Sequence, residues 1–174
     1  MHDALIGFTQ SLPAWLQWAG VMLAAAIPLV ESHFGALVGV IAGIPLPVAI
    51  IAAAVGNAAS VLVFVAVADA ARRRVLARTR ARSGDAPTAE GAKASEPANG
   101  ASSRRRRFMR LFERFGVPGV GLLGQMVIPN QFTAGMMISL GASPRTVVLW
   151  QMIGIALWAV VFALLGQAGL AVVR

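Results

Sequence analysis

The 174-residue sequence is 57% hydrophobic and 13% charged, and its formal net charge is +8. Apolar stretches this long and this free of charge indicate membrane spans. The absence of cysteine excludes disulfides and thiolate metal sites, and the only histidines, His2 and His33, are too few for a histidine-rich metal site. We therefore expect an all-α integral membrane protein that carries no metal and no cofactor.

The first part of the chain contains more apolar sequence than one span requires. Residues 4–12 are predicted to form a short interfacial helix, and residues 14–30 an apolar arm that ends near Pro28. Residues 32–68 are too many for one crossing and too few for two, since each crossing needs about 20 residues. Gly and Pro interrupt their first part, so we predict a re-entrant hairpin followed by a crossing from Leu46 to Ala68.

Glu31 is the only acidic residue embedded in this apolar sequence. A charge at the bilayer centre costs roughly 2.5–3.5 kcal/mol by insertion scales, so a residue kept there usually has a function. Three interpretations stay open: a proton-titrating carrier group, a carboxylate that caps the helix following it, or a residue at the membrane interface. His33 is either a hydrogen-bonded residue of the hairpin tip or a proton relay. Glu31 and His33 are the candidate proton-coupling residues.

The basic residues are concentrated in one segment. Residues 72–114 contain 13 of the 15 arginines and lysines against four acids, which predicts a cytoplasmic loop by the positive-inside rule. Residues 83–103 lack large apolar side chains and are predicted to be disordered. An arginine run can also bind nucleic acid, but membrane topology alone explains this charge, so we expect no nucleic-acid partner. Four large apolar side chains then share one helical face and predict an amphipathic helix in the membrane plane: Phe108, Leu111, Phe112 and Phe115.

The second part of the chain repeats the organisation of the first. Residues 115–144 are uncharged and interrupted by Pro and Gly, which predicts another hairpin, and residues 146–173 are predicted to form a final crossing. The chain therefore divides into a first half, 1–71, a basic and largely disordered loop, 72–107, and a second half, 108–174.

The two halves also share the spacing of their Gly and Pro residues. Ile27-Pro28 corresponds to Ile128-Pro129, and the pairs Gly43–Gly56 and Gly141–Gly154 both have a spacing of 13 residues. With one full crossing in each half, the halves would have opposite orientations, as in the inverted repeats of many secondary transporters. The repeat predicts two facing hairpins whose tips enclose a site at the bilayer midplane. We assign the tips to Pro28–Gly35 and Pro129–Gly135.

Uncharged polar residues near these tips are the candidate substrate-binding residues: Asn57, Gln125, Asn130, Gln131 and Thr133. For Asn57, a hydrogen bond between helices is the more common role. Those of the second tip could equally satisfy backbone groups that the hairpin leaves without helical partners.

These motifs resemble the small multidrug export proteins, which are distant relatives of the DedA (VTT-domain) membrane proteins. Six residues of the first segment carry the likeness: Ile27, Pro28, Glu31, Gly35, Gly56 and Asn57. In the second segment, Pro129 and Thr133 match the family's second tip. His33 stands where the family often has arginine, and the family often has prolines near Leu37 and at Gln131. The resemblance implies two facing re-entrant hairpins in an inverted repeat. It also implies drug export or, from the DedA relatives, proton-coupled movement of lipid carriers.

The sequence therefore predicts a small multi-pass transporter of the plasma (inner) membrane, proton-coupled through Glu31, for small molecules or lipid carriers. The alternative is a non-transporting membrane adaptor whose basic loop binds partners or anionic lipid. No pattern resembles a catalytic triad or a phosphate-binding loop, so we expect no enzymatic activity. Membrane lipids and the substrate are the expected partners, and a homo-oligomer stays open.

Overall fold

The computed structural model describes residues 2–82, 110, 112 and 114–173, and within these residues the chain is helical and contains no β-strand. This confirms the prediction of an all-α protein. The helices are α1 (His2–Ser11), α2 (Gln17–Ala26), α3 (Glu31–Ile41), α4 (Leu46–Arg82), α5 (residues 114–123), α6 (Asn130–Ser139) and α7 (Pro144–Val173). Short 3₁₀ segments, Ala14–Leu16 and Gly124–Met126, precede α2 and follow α5.

In the part of the chain that the structure describes, two helices are long and apolar enough to cross a membrane, Leu46–Ala81 within α4 and Pro144–Val172 within α7. Helix α4 begins at Leu46 as predicted, but it continues through Arg82 rather than ending near Ala68. Residues 72–82, expected to begin the basic loop, are therefore helical, because alanine and arginine are strong helix formers. The predicted disordered segment, 83–103, and Phe108 and Leu111 of the predicted amphipathic helix lie outside the described residues.

The other helices near the predicted tips are about half as long as a membrane span. With 10 or 11 residues each, α2, α3 and α6 are about 15 Å long, whereas the hydrocarbon core is about 30 Å thick. Helices α2 and α3 are joined at residues 27–30, and α5 and α6 are joined through residues 124–129. Pro28 and Pro129 lie in these connections. Ile27 is extended, with φ −73° and ψ 125°, because a residue that precedes proline avoids the helical conformation.

Gly35 and Gly135 are not part of the tips. Gly35 lies inside α3 and Gly135 inside α6, so the backbone following each tip is plain helix. A Cβ at Gly35 would lie 2.6 Å from the Cβ of Ala25, so this glycine allows α3 to pack closely on α2 instead of interrupting it. Gly135 has open space where a Cβ would be.

Helices α3 and α6 are each followed by the same turn into a long helix. Gly43 after α3 and Gly141 after α6 have φ values of +90° and +100°, in the left-handed region that glycine adopts without strain. The next amide in each case donates a hydrogen bond of 3.0 Å back to the helix, from Ile44 to Gly39 and from Ala142 to Met137. This is the hydrogen-bond pattern of a Schellman helix end, and it occurs at matching positions of the two halves.

The second glycine of each spaced pair also has a shared role. A Cβ on Gly56 of α4 would lie 1.9 Å from the carbonyl oxygen of Met22 in α2. A Cβ on Gly154 of α7 would lie 2.5 Å from the carbonyl oxygen of Gly121 in α5. In each half, glycine therefore brings the long helix against the backbone of the first short helix of that half, α2 or α5.

Two buried apolar clusters hold the halves together. One packs α2, α3 and α4 against Ala159 and Ala163 of α7, and the other packs α5, α6 and α7 against Val61 and Val65 of α4. Each long helix therefore belongs to both clusters, so the short helices of one half pack on the long helix of the other.

Candidate functional site

The Glu31 carboxylate joins the two halves. Its side chain is 1% exposed at the start of α3, and its Oε1 accepts a hydrogen bond of 2.5 Å from the backbone N–H of Asn130. Asn130 is the first residue of α6, where the N–H groups have no partner within the helix and the helix dipole favours negative charge. Glu31 therefore caps the helix of the opposite half, not the helix that follows it.

The backbone at this tip is in an uncommon conformation. Leu29 and Glu31 have φ values of +83° and +56°, which non-glycine residues rarely adopt. Each such residue costs of order 1–3 kcal/mol and is kept only where its surroundings hold it. The strain coincides with the residue whose carboxylate points at α6.

His33 lies beside the carboxylate without a hydrogen bond to it. Its Nδ1 is 3.6 Å from Glu31 Oε2, beyond hydrogen-bond range, and neither atom has another hydrogen-bond partner. The ring packs against Phe34 and Phe162, with ring centroids 4.6 and 5.1 Å away. A proton could pass between Glu31 and His33 only after a small movement or through a water molecule.

The carbonyl group of Asn130 is held by hydrogen bonds from a network of polar side chains. Its carbonyl oxygen accepts hydrogen bonds from Thr133 Oγ1 at 2.9 Å and from Gln151 Nε2 at 3.3 Å. Gln151 Nε2 also donates to Thr133 Oγ1 at 3.0 Å, and Gln125 Nε2 donates to Gln151 Oε1 at 3.2 Å. Side chains of α6 and α7 and of the 3₁₀ turn after α5 thus fix the start of α6 against Glu31.

Gln151 is a site residue that the sequence reasoning missed. It is fully buried in α7, within the predicted final crossing. An amide in an apolar span was the available signal, because polar side chains inside a membrane helix are seldom exposed to lipid. Ser32 was missed as well, and its hydroxyl donates to the carbonyl of Ile155 at 3.1 Å, joining α3 to α7.

Asn57 and Gln131 form a second branch, on the α4 side of α6. Gln131 Nε2 donates to Asn57 Oδ1 at 3.3 Å and lies 3.4 Å from the hydroxyl of Ser60. Neither side chain has a hydrogen bond to Glu31 or His33 in the part of the chain that the structure describes. This geometry agrees with a hydrogen bond between helices, which is the common role of asparagine in membrane helices.

Within the described residues, seven buried side-chain polar atoms of the site have no hydrogen-bond partner. The orphans are Glu31 Oε2, His33 Nδ1, Asn57 Nδ2, Gln125 Oε1, Gln131 Oε1 and both side-chain polar atoms of Asn130. Leaving such a group unsatisfied costs about 1–3 kcal/mol, so a cluster of them indicates capacity for water or a ligand. The described residues contain no group of three or more His, Cys, Asp or Glu side chains that could hold a metal ion.

Comparisons with protein-family models, with curated proteins and with solved structures gave no match for this chain. The resemblance to the small multidrug export proteins therefore stays a prediction from the motif residues.

Proposed function

We propose that this chain is a small secondary transporter of the plasma membrane, in which Glu31 binds and releases the coupling proton. The observation that supports the proposal is the burial and incomplete hydrogen bonding of the Glu31 carboxylate. It is buried, and among the described residues Oε1 accepts a single hydrogen bond while Oε2 has no partner. A structural carboxylate at membrane depth would be expected to have a basic partner and both oxygens satisfied.

The helix lengths support a membrane arrangement for this proposal. Helix pairs α2–α3 and α5–α6 would be re-entrant hairpins that face each other, and α4 and α7 would each cross the membrane once. The two halves would then form an inverted repeat, with the basic segment after α4 on the cytoplasmic side. Pro28 and Pro129 of the two connections are half-buried, whereas the side chains of Leu29 and Val127 beside them are exposed, so protein would cover the connections only in part.

Proton and substrate would compete for one carboxylate. In the ionised form, Glu31 accepts from the Asn130 N–H at the positive end of α6 and holds the two tips together. Protonation removes the charge and weakens that contact, so the tips can separate. The orphan amide atoms of Asn130, Gln131 and Asn57 offer donors and acceptors to a polar small molecule or to the headgroup of a lipid carrier.

The proposal is tested by flux measurements in proteoliposomes under an imposed pH gradient. One arm uses a fluorescent cationic dye and the other a fluorescent isoprenyl phosphate, which separates the two substrate classes. Wild type should move one probe at a rate that varies with pH, and Glu31→Gln should abolish this movement at every pH. The matched control is Asp69→Asn, because Asp69 is an acid of α4 outside the Glu31 site and pairs with exposed Arg73.

Two outcomes contradict the proposal. If Glu31→Gln transports at the wild-type rate across pH, then Glu31 is a structural cap of α6. If wild type moves neither probe and dissipates no pH gradient, the adaptor alternative is favoured instead.

A further inference from the structure

A groove lies where the uncharged part of α4 gives way to arginines. It has a volume of about 490 Å³ and lies between α4 and the C-terminal end of α6. Its walls are mainly small and apolar, with Ala71, Val75 and Leu140 among them, and Arg72 is the charged residue that lines it. The groove is separate from the Glu31 cluster, which lies at the opposite end of α6.

Arg72 differs from the arginines that follow it. Arg73 pairs with Asp69 at 2.7 Å, and Arg78 is exposed. Arg72 is half-buried, and within the described residues its guanidinium has neither an ion pair nor a hydrogen bond. Its Nη2 is close to the turn after α6, 3.6 Å from where a Cβ of Gly141 would be. The positive charge favours that helix end, and within the described residues the guanidinium donors have no acceptor.

The matching groove in the other half of the chain has no charged side chain among the described residues that line it. It lies between the ends of α3 and α7, has a volume of about 340 Å³, and is lined by Gly43, Gln167 and Leu170 among others. The offset of 98 residues that relates Gly43 to Gly141 also relates Arg72 to Leu170. The scaffold therefore produces a groove in both halves, whereas only the groove at α4 carries a guanidinium.

We propose that the groove at Arg72 binds the headgroup of an anionic phospholipid. The phosphate would accept hydrogen bonds from Arg72, and the apolar wall at Ala71, Val75 and Leu140 would receive the first part of the lipid chains. Charge complementarity identifies the occupant, because basic pockets where helices leave the membrane suit anionic headgroups and guanidinium donors suit phosphate oxygens. This lipid is a bound partner at the rim of the protein and is not the transported substrate.

Lipid retention by the purified full chain tests the site. Native mass spectrometry in a nonionic detergent would compare phosphatidylglycerol with phosphatidylcholine of the same chain length. Wild type should retain phosphatidylglycerol in preference. Arg72→Gln should lower this retention about tenfold, the equivalent of about 1.4 kcal/mol for a lost charge-assisted hydrogen bond. Arg78→Gln removes the same charge outside the groove and should lower it by about twofold or less.

A second variant tests the groove without a change of charge. Ala71→Phe should reduce retention by filling the groove, with circular dichroism and thermal unfolding as the check on folding. Equal retention of the two lipids, or an equal loss in Arg72→Gln and Arg78→Gln, would overturn the proposal. Displacement of the lipid by inorganic phosphate alone would also overturn it, since the site would then bind a free anion. If Ala71→Phe does not fold, the two arginine variants still decide.

Discussion

The first and second halves of the chain use one scaffold for different chemistry. Both have a short helix, a proline-containing connection, a second short helix, a glycine turn and a long helix, and Gly56 and Gly154 make the same close contact. At the start of the second short helix, however, the first half has the acid Glu31 and the second has the amide Asn130. A few polar side chains, and not the backbone, distinguish the halves.

This difference makes the halves complementary. Glu31 supplies an acceptor that can titrate, and α6 supplies an N–H at a helix N-terminus, which favours negative charge. Two acids at this place would repel each other, and two amides would have no proton to exchange. We infer that one buried carboxylate can contact both halves because the acid lies at one tip and its N–H partner at the other.

The sharpest way to break the comparison is to ask whether equivalent positions face opposite sides of the membrane. Pro45 before α4 and Ser143 before α7 are exposed and equivalent, and the chain has no native cysteine. In intact cells, an impermeant thiol reagent should label Pro45→Cys and should not label Ser143→Cys until the cells are permeabilised. The expected difference is all or none. Labelling of both from one side would show that the halves are not inverted.

The second test concerns the two glycine contacts between helices. Gly56→Ala and Gly154→Ala each place a Cβ against a backbone oxygen that cannot move without shifting a helix, so each should lower the free energy of unfolding by about 3 kcal/mol. Gly135→Ala is the control, because it meets no atom within 4 Å. Thermal unfolding in detergent measures all three. A strong effect at Gly56 with none at Gly154 would mean that the halves pack differently.

A third test sharpens the contrast between the two branches of polar residues. Gln151 shares Asn130 with Glu31, whereas Gln131 bonds to Asn57 and Ser60. In double-mutant cycles on the free energy of unfolding in detergent, Glu31→Gln should therefore couple to Gln151→Leu by about 0.5–3 kcal/mol. Its coupling to Gln131→Leu should be smaller, because Gln131 has no hydrogen bond to Glu31 or Asn130 among the described residues. Equal coupling in the two cycles would mean that both branches belong to one network.

The sequence allowed better predictions of where helices begin and turn than of which side chains contact each other. The start of α4 at Leu46 and the matching turns at Gly43 and Gly141 follow from local chemistry, since proline and glycine limit what the backbone can do there. Gly35 was assigned wrongly to a tip because glycine both interrupts helices and lets them approach closely. Only the packing of α3 on Ala25 shows which of these roles applies.

The partners within the site could not be read from the sequence. Glu31 was identified because a charge in apolar sequence is conspicuous, but its hydrogen bond to Asn130 spans 99 residues. Gln151 became a site residue only through the face that α7 presents to α6, which depends on long-range packing. Hydropathy likewise located the apolar part of α4 but not its helical continuation to Arg82, because hydropathy reports burial in lipid and not helix propensity.

The smallest expected effect belongs to the acid outside the polar cluster. Asp69 pairs with Arg73 at 2.7 Å one helical turn away, and the arginine side chain is 78% exposed. Solvent screens such a pair and both side chains lose freedom in forming it, so exposed pairs contribute about 0–1 kcal/mol. Asp69→Asn should therefore change the free energy of unfolding by less than about 1 kcal/mol and leave transport unchanged, as measured by thermal unfolding and by proteoliposome flux beside Glu31→Gln. If Asp69→Asn impaired transport as strongly as Glu31→Gln, burial between the two halves would not be what makes an acid essential for transport. The difference between Glu31 and Asn130 would then not explain proton coupling.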